Sequence, residues 1–157
     1  MSKRGYCSIG VYHIKHIENI GTLWRSAAYF GADFIFTIGK RYKGQPSDTL
    51  NTSKHLPLFH YLDFDDFYNH MPYNCILTAI EIADVSTDAR DFIHPQQAIY
   101  LLGAEDYGLP EKVLSRCGYV IEVPRPIEVS CLNVATIGSI ILWDRYVKGN
   151  VPFRKGN

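Results

Sequence analysis

Short apolar runs bounded by Gly, Pro or Asp recur along the 157-residue chain and alternate with helical patterns. The runs are YCSIGVY, DFIFTIG, NCILTAIEI, AIYLLG and YVIEVP. They are rich in β-branched and aromatic residues and do not alternate strictly, which is typical of strands buried on both faces. Helical patterns occupy 19–31, 63–70, 109–116 and 133–147, and the polar stretch 40–55 predicts a mobile loop. The alternation predicts one α/β domain over 1–157, with a mainly parallel sheet and helices on both faces.

Composition is that of an ordinary globular protein, with 46% hydrophobic residues, 20% charged residues and no formal net charge. A uniformly basic binder is therefore excluded. Basic residues nevertheless concentrate towards the two ends of the chain: Lys3, Arg4, Lys15, Arg25, Lys40, Arg41 and Lys43, then Arg145, Lys148, Arg154 and Lys155. One interpretation is a basic face formed where the two ends meet, and the other is ordinary solvated side chains.

The cellular compartment is predicted from the absence of signal-like and membrane-spanning segments. The N-terminal stretch offers no uninterrupted apolar segment, and no apolar run is long enough to span a bilayer. We therefore expect a cytoplasmic protein without a membrane partner. Four scattered cysteines, Cys7, Cys75, Cys117 and Cys131, form no CxxC pair, which argues against a zinc site and, in that compartment, against disulfides. The sequence predicts no metal site.

The first helical pattern carries an arginine on its polar face. At 100° per residue, one side of the helix is apolar and consists of Ile20, Leu23, Trp24, Ala27, Phe30 and Gly31. Arg25 lies on the other side, with Thr22 and Ser26. A plain surface arginine would lie there too, so its position alone does not separate a solvated charge from a functional one.

The last helical pattern is apolar on nearly every side. Ile137 and Ile141 share one face, whereas Leu142, Trp143 and Tyr146 lie on others. A helix of this kind is either deeply buried or packed against a partner. Because a domain of this length has little room for an internal helix near its end, we predict a homodimer through the last helix, with Trp143 buried.

Three segments hold the candidate functional residues. In NIGTLWRSAAYFGA, Asn19 lies six residues before Arg25; in LLGAEDYGLP, Glu105 lies between two glycines; in VIEVPRPIEVSCLNVATIGSIILW, a strand and a proline-bearing turn lead to Asn133 at a helix start. Each feature alone has an ordinary explanation: a tight turn for a glycine, a solvated glutamate, a helix cap for an asparagine.

As a set and in this order, the three segments resemble the motifs of the SpoU/TrmH-type methyltransferases of the SPOUT class, from about Ile17 to Tyr146. The resemblance implies an α/β domain with a C-terminal trefoil knot, a homodimer, and S-adenosyl-L-methionine as the cofactor. It also implies methyl transfer to a ribose 2'-hydroxyl in tRNA or rRNA. The short chain, with no separate RNA-binding domain expected, favours tRNA.

The same resemblance assigns the site. Asn19, Arg25, Glu105 and Asn133 match the catalytic positions of the family. The cofactor is expected to be contacted, largely through backbone, at Ile80, Gly103, Ala104, Gly108, Ile121, Val123, Pro124, Cys131 and Leu132. Arginine is a poor base, so two roles stay open for Arg25: a strongly perturbed base, or a bidentate grip on a phosphate that orients the ribose.

One position departs from the family pattern. Where the family usually has Ser-Leu-Asn, this chain has Cys131 before Leu132, with Ser130 one place earlier. A tolerated replacement is favoured over a local shift or an altered activity. The alternative function is a non-catalytic RNA-binding dimer that retains the fold. A Rossmann-type nucleotide enzyme lacks its G-x-G-x-x-G turn after the first strand.

Overall fold

The computed structural model describes residues 5–42 and 56–149, and its strands form one seven-stranded sheet. In chain order they are β1 (Tyr6–Tyr12), β2 (Phe34–Ile38), β3 (Leu58–Tyr61), β4 (Ile76–Ile80), β5 (Thr87–Asp88), β6 (Gln97–Leu102) and β7 (Tyr119–Glu122). The spatial order is β3-β2-β1-β6-β4-β7-β5, and every neighbouring pair is parallel. The predicted parallel sheet is confirmed.

Two helices pack on each face of the sheet. The helices are α1 (Glu18–Tyr29), α2 (Phe64–His70), α3 (Glu111–Leu114) and α4 (Val134–Lys148). On one face, Leu23 of α1 and Ile141 of α4 share a core with Tyr100. On the other face, Phe67 of α2 and Val113 of α3 share a core with Leu101. Successive residues of β6 therefore enter opposite cores, as a strand buried on both faces requires.

The structure departs from the sequence predictions at several boundaries. Strands β3 and β5 were not predicted, and α3 is shorter than the predicted 109–116. The helix begins only after Pro110, because the residue before a proline is disfavoured in helical conformation. Most of the stretch predicted as a mobile loop, 43–55, lies outside the described residues. The trefoil knot and the single-domain boundary stay predictions.

A buried polar network fastens α4 to the chain before β6. The side chain of His94 is 5% exposed; its Nε2 lies 2.8 Å from the Asp144 carboxylate and its Nδ1 2.6 Å from the Tyr100 hydroxyl. A neutral ring can donate from Nε2 to Asp144 and accept at Nδ1 from Tyr100. Arg145 adds hydrogen bonds to the carbonyls of Pro95 and Gln96.

Four basic residues in the described part of the chain lie in two separate places. Lys15 and Lys40 follow β1 and β2 at the carboxyl edge of the sheet. Arg145 and Lys148 lie at the opposite end of α4, where they donate to backbone carbonyls and, for Lys148, to Asp144. The joint basic face therefore stays a prediction, since Lys3, Arg4, Lys43, Arg154 and Lys155 lie outside the described ranges.

No helix within residues 5–42 and 56–149 is long and apolar enough to cross a membrane.

The network around His94 predicts a pH-dependent stability. Burial lowers the pKa of His94, against the opposing effect of the hydrogen bond that His94 donates to Asp144. The folded chain therefore binds fewer protons than the unfolded chain below about pH 6.5, so stability present above that pH is lost as the pH falls towards the folded pKa. Urea unfolding of the His94→Gln variant should show a smaller loss between pH 7 and pH 5 than the wild type does. Equal losses would assign the pH dependence to other groups.

Candidate functional site

The predicted site segments meet at the carboxyl edge of the sheet. Because the strands are parallel, the turns that follow β1, β4, β6 and β7 all leave the sheet at this edge. In open parallel sheets, this is the edge where ligands bind. The turn after β6 contains Glu105, and the chain after β7 leads to Asn133 at the start of α4.

Glu105 joins the turn after β6 to the turn before α1. Its carboxylate accepts hydrogen bonds from the backbone N–H of Lys15 at 2.8 Å and of His16 at 3.4 Å. The side-chain amide of Asn19 donates to the same carboxylate at 3.1 Å. The next residue, Asp106, forms an ion pair with Lys15 at 2.7 Å. Two motifs that are 86 residues apart are thus in direct contact.

Asn133 connects the third motif to the other two. Its Nδ2 donates to Oδ1 of Asn19 at 2.8 Å. Its Oδ1 accepts from the backbone N–H groups of Ala135 and Thr136, which makes it the N-cap of α4. The amide orientations are consistent along the whole series, since each oxygen accepts and each NH₂ donates. Glu105, Asn19 and Asn133 form one continuous chain of hydrogen bonds.

These contacts determine the charge state of Glu105. Partial burial alone would raise the pKa of this carboxyl, but hydrogen bonds from Lys15, from its own backbone, from Asn19 and from His16 outweigh it, and the pKa lies below its ordinary value. Glu105 is therefore ionised at neutral pH and already accepts several donors. It is suited to holding two loops together rather than to removing a proton.

Two glycines shape the turn after β6. A Cβ on Gly103 would lie 2.5 Å from the carbonyl carbon of Gly108, so the backbone comes too close for a side chain. Gly108 adopts φ +62°, and its N–H donates to the carbonyl of Ala104 at 2.9 Å. The result is a compact loop, 103–109, with Glu105 at its outer bend.

The nine predicted cofactor positions all lie at this edge or on the chain from β7 to α4. Their side chains differ in exposure: those of Ile80 and Ile121 are buried in the core, so only their backbone is available to a ligand. Leu132 is 54% exposed, and Cys131 beside it is exposed. The roles of these residues stay predictions, but the edge offers backbone groups and apolar side chains, which suits a flat ligand with polar edges.

Arg25 lies apart from the hydrogen-bonded chain. It is exposed on α1, about 9 Å along the helix axis and about 120° around it from Asn19. Within the described ranges its guanidinium has no hydrogen-bond or ion-pair partner. The residue after it, Ser26, instead accepts from Ser139 of α4 at 2.7 Å. Arg25 is thus a free cation near the site, and its role stays a prediction.

The sequence interpretation overlooked Glu81, which lies at the same edge. It follows the last residue of β4, and its carboxylate accepts the backbone N–H of Leu109 at 2.8 Å. The available signal was its position directly after a buried strand.

No cluster of three metal-ligating side chains occurs in the described part of the chain.

Comparison with known proteins gives the family context of this geometry. The model of the SpoU rRNA methylase family matches residues 7–143. A "Putative TrmH family tRNA/rRNA methyltransferase" from Staphylococcus haemolyticus is 22% identical over 135 residues, which cover 83% of this chain and 54% of that protein. The chain therefore spans about half the length of this relative.

Solved structures share the fold. One, described as giving structural insights into the 2-OH methylation of C/U34 on tRNA, has a TM-score of 0.79 at 22% identity and covers 92% of this chain and 97% of its own. An AdoMet-bound rRNA methyltransferase from Sinorhizobium meliloti has a TM-score of 0.75 at 22% identity, over 92% of this chain and 57% of its own. Both confirm the fold class predicted from sequence.

Proposed function

The chain belongs to the SpoU rRNA methylase family, and we propose that it transfers a methyl group from S-adenosyl-L-methionine to a ribose 2'-hydroxyl of RNA. The observation that carries the proposal is the hydrogen-bonded chain of Glu105, Asn19 and Asn133. It joins the three motifs on which the family resemblance rests, at the sheet edge where ligands bind.

The residues at this edge fit the cofactor. Gly103 and Gly108 keep side chains out of the turn, and Leu132 presents an exposed apolar side chain just before α4. An adenine ring needs such an apolar surface together with backbone donors and acceptors. The cofactor would supply an electrophilic methyl group, and the loops at 103–109 and 121–132 would hold and orient it.

We propose that Arg25 binds the RNA substrate. Arginine is a poor base, and Arg25 is exposed on α1. A planar guanidinium without a partner in the described part of the structure is suited to a bidentate grip on a phosphate. Such a grip would orient the neighbouring ribose for attack on the methyl group.

Cys131 lies outside the hydrogen bonds that join the three motifs. Both Cys131 and Ser130 are exposed, and neither takes part in the chain of hydrogen bonds through Asn133. Replacement of the family's serine therefore leaves the contacts between the three motifs intact, which supports a catalytic protein over a purely RNA-binding one.

We propose tRNA rather than rRNA as the substrate. Its support is the structure linked to methylation at position 34 of tRNA, which this chain matches along nearly its full length. The protein is also proposed to act in the cytoplasm and to contain the trefoil knot of its class.

A homodimer is proposed from the aromatic surface of α1 and α4. Phe30, Trp143 and Tyr146 contact one another, with ring centroids 5.9–6.0 Å apart. Trp143 is 49% exposed and the neighbouring Tyr29 is 83% exposed, although Ile141 on the same helix is in the core. Aromatic residues that remain exposed on a helix already packed on one face fit an interface with a second copy.

The function predicts a selective effect of Arg25→Ala. Methyl transfer from labelled S-adenosylmethionine to tRNA should fall by a factor of about a hundred or more, because an orienting group is lost. Cofactor affinity should stay within about twofold and stability within about 0.5 kcal/mol, as for an exposed side chain. Arg25→Lys should restore little activity, since lysine lacks the planar fork.

The matched control is Lys112→Ala, which removes an exposed cation from α3 on the opposite face of the sheet. It should leave methyl transfer unchanged, and the product of the wild type should be a 2'-O-methyl nucleotide. Full activity of Arg25→Ala, or methylation of a base, would contradict the proposal.

The dimer predicts that Trp143→Asp dissociates the protein. A carboxylate buried at an interface without a partner is strongly unfavourable, so sedimentation velocity at micromolar concentration should show a dimer for the wild type and a monomer for the variant. Tyr73→Asp, which alters another exposed aromatic residue on a turn at the amino edge, should stay dimeric. A monomeric wild type would rule out the interface.

A further inference from the structure

Glu81 occupies a central position at the carboxyl edge. It follows Ile80, the last residue of β4, and β4 lies between β6 and β7. Its backbone N–H donates to the carbonyl of Ile121 on β7 at 2.9 Å, while its side chain reaches the turn after β6. Glu81 is therefore in contact with both segments that flank β4 and that contain predicted cofactor positions.

Both carboxylate oxygens of Glu81 accept backbone hydrogen bonds. Oε2 accepts from Leu109 at 2.8 Å, and Oε1 accepts from Ile82 at 3.0 Å. No lysine, arginine or histidine in the described residues forms an ion pair with it. A carboxylate can accept a hydrogen bond from both N–H groups at once. A carboxamide cannot, because its NH₂ end is a donor.

The contact also brings the Glu81 carboxylate against the backbone of Gly108. A Cβ on Gly108 would collide with Oε2 of Glu81, and the backbone there has φ +62°, which side chains rarely adopt. Gly108 in turn lies against Gly103, the first residue of the loop. The position of the Glu81 carboxylate therefore constrains the end of loop 103–109, and through the two glycines it constrains the beginning.

Loop 103–109 is held from two sides. Glu105 and Asp106 attach its outer bend to Lys15, His16 and Asn19 before and at the start of α1. Glu81 attaches its return to β4. Without Glu81 the loop would remain fixed at the bend, but its return would lose the attachment to β4, the strand that pairs with β7.

We propose that Glu81 is a positioning residue for the cofactor: its carboxylate holds the Gly108–Leu109 peptide so that loop 103–109 keeps the shape that binds S-adenosylmethionine. The inference rests on the proposed function. Removing the carboxylate leaves the Leu109 N–H without its acceptor, so part of the cofactor's binding energy must be used to order the loop.

The test is calorimetric titration of S-adenosylmethionine into the wild type, Glu81→Ala and Glu81→Gln. Both variants should bind about tenfold or more weakly, on the scale of one lost hydrogen bond to a charged group, while thermal unfolding without cofactor changes little. Glu81→Gln keeps the shape of the side chain and serves if the alanine variant does not fold. Glu111→Gln, which alters an exposed carboxylate on α3, should bind as the wild type does.

A double-mutant cycle with Gly108→Ala separates positioning from a general loss of structure. In the wild type, the new methyl group would collide with Glu81, so the affinity for the cofactor should fall. In the Glu81→Ala background the collision is absent, and the same substitution should cost less. Additive effects of the two substitutions would overturn the direct contact.

The outcomes distinguish the inference from the function on which it rests. If the wild type binds S-adenosylmethionine and the Glu81 variants bind it equally well, the positioning role is wrong and the proposed function stands. If the wild type shows no binding, both are wrong. Faster hydrogen exchange at the Leu109 amide in the cofactor-free Glu81 variants would support the specific contact, and unchanged exchange would contradict it.

Discussion

The site depends on the carboxylate of Glu105, which accepts donors from Lys15, His16 and Asn19 across the top of the sheet. These hydrogen bonds attach the turn after β6 to the start of α1. Asn19 then reaches Asn133, whose oxygen caps α4. Asn19 is the one of these partners that also bonds Asn133, so loss of its side chain would break the contact between the three motifs.

This arrangement requires a parallel sheet with β6 beside β1. Parallel strands deliver their following turns to one edge, and the adjacency of β1 and β6 places the turns after them within hydrogen-bonding distance. Residues 86 and 114 positions apart in sequence thus come into contact without any long side chain. Glu81, at the end of β4, extends the same principle to the third strand of the edge and ties the return of loop 103–109 to the sheet.

Much of the fold could be predicted because the central strands carry their own signal. β1, β2, β4 and β6 are almost fully buried, so their apolar runs are continuous. β3 at the edge is mostly half-exposed, and β5 has two residues, so neither has an apolar run to recognise. The start of α3 was misplaced because the effect of Pro110 on the preceding residue was overlooked.

The candidate site was less accessible from sequence. The pattern of residues gave Asn19, Glu105 and Asn133 only ordinary explanations, and the resemblance to a family was needed to group them. Glu81 was missed because a carboxylate among other acidic residues looks solvated; its partner is the backbone of Leu109, and a backbone donor leaves no mark in the sequence. Half-exposed Trp143 is the opposite case. The sequence pattern indicates an apolar surface there, but it does not identify the partner that covers this surface.

The proposed function requires that the turns after β4, β6 and β7 form one surface that binds S-adenosylmethionine. An NMR titration of the labelled protein with this cofactor tests it most directly. Changes in amide chemical shift should be concentrated at 80–82, 103–109 and 121–133. Shifts concentrated instead at the amino edge, around 95–97 and 115–118, or no shifts at saturating cofactor, would contradict it.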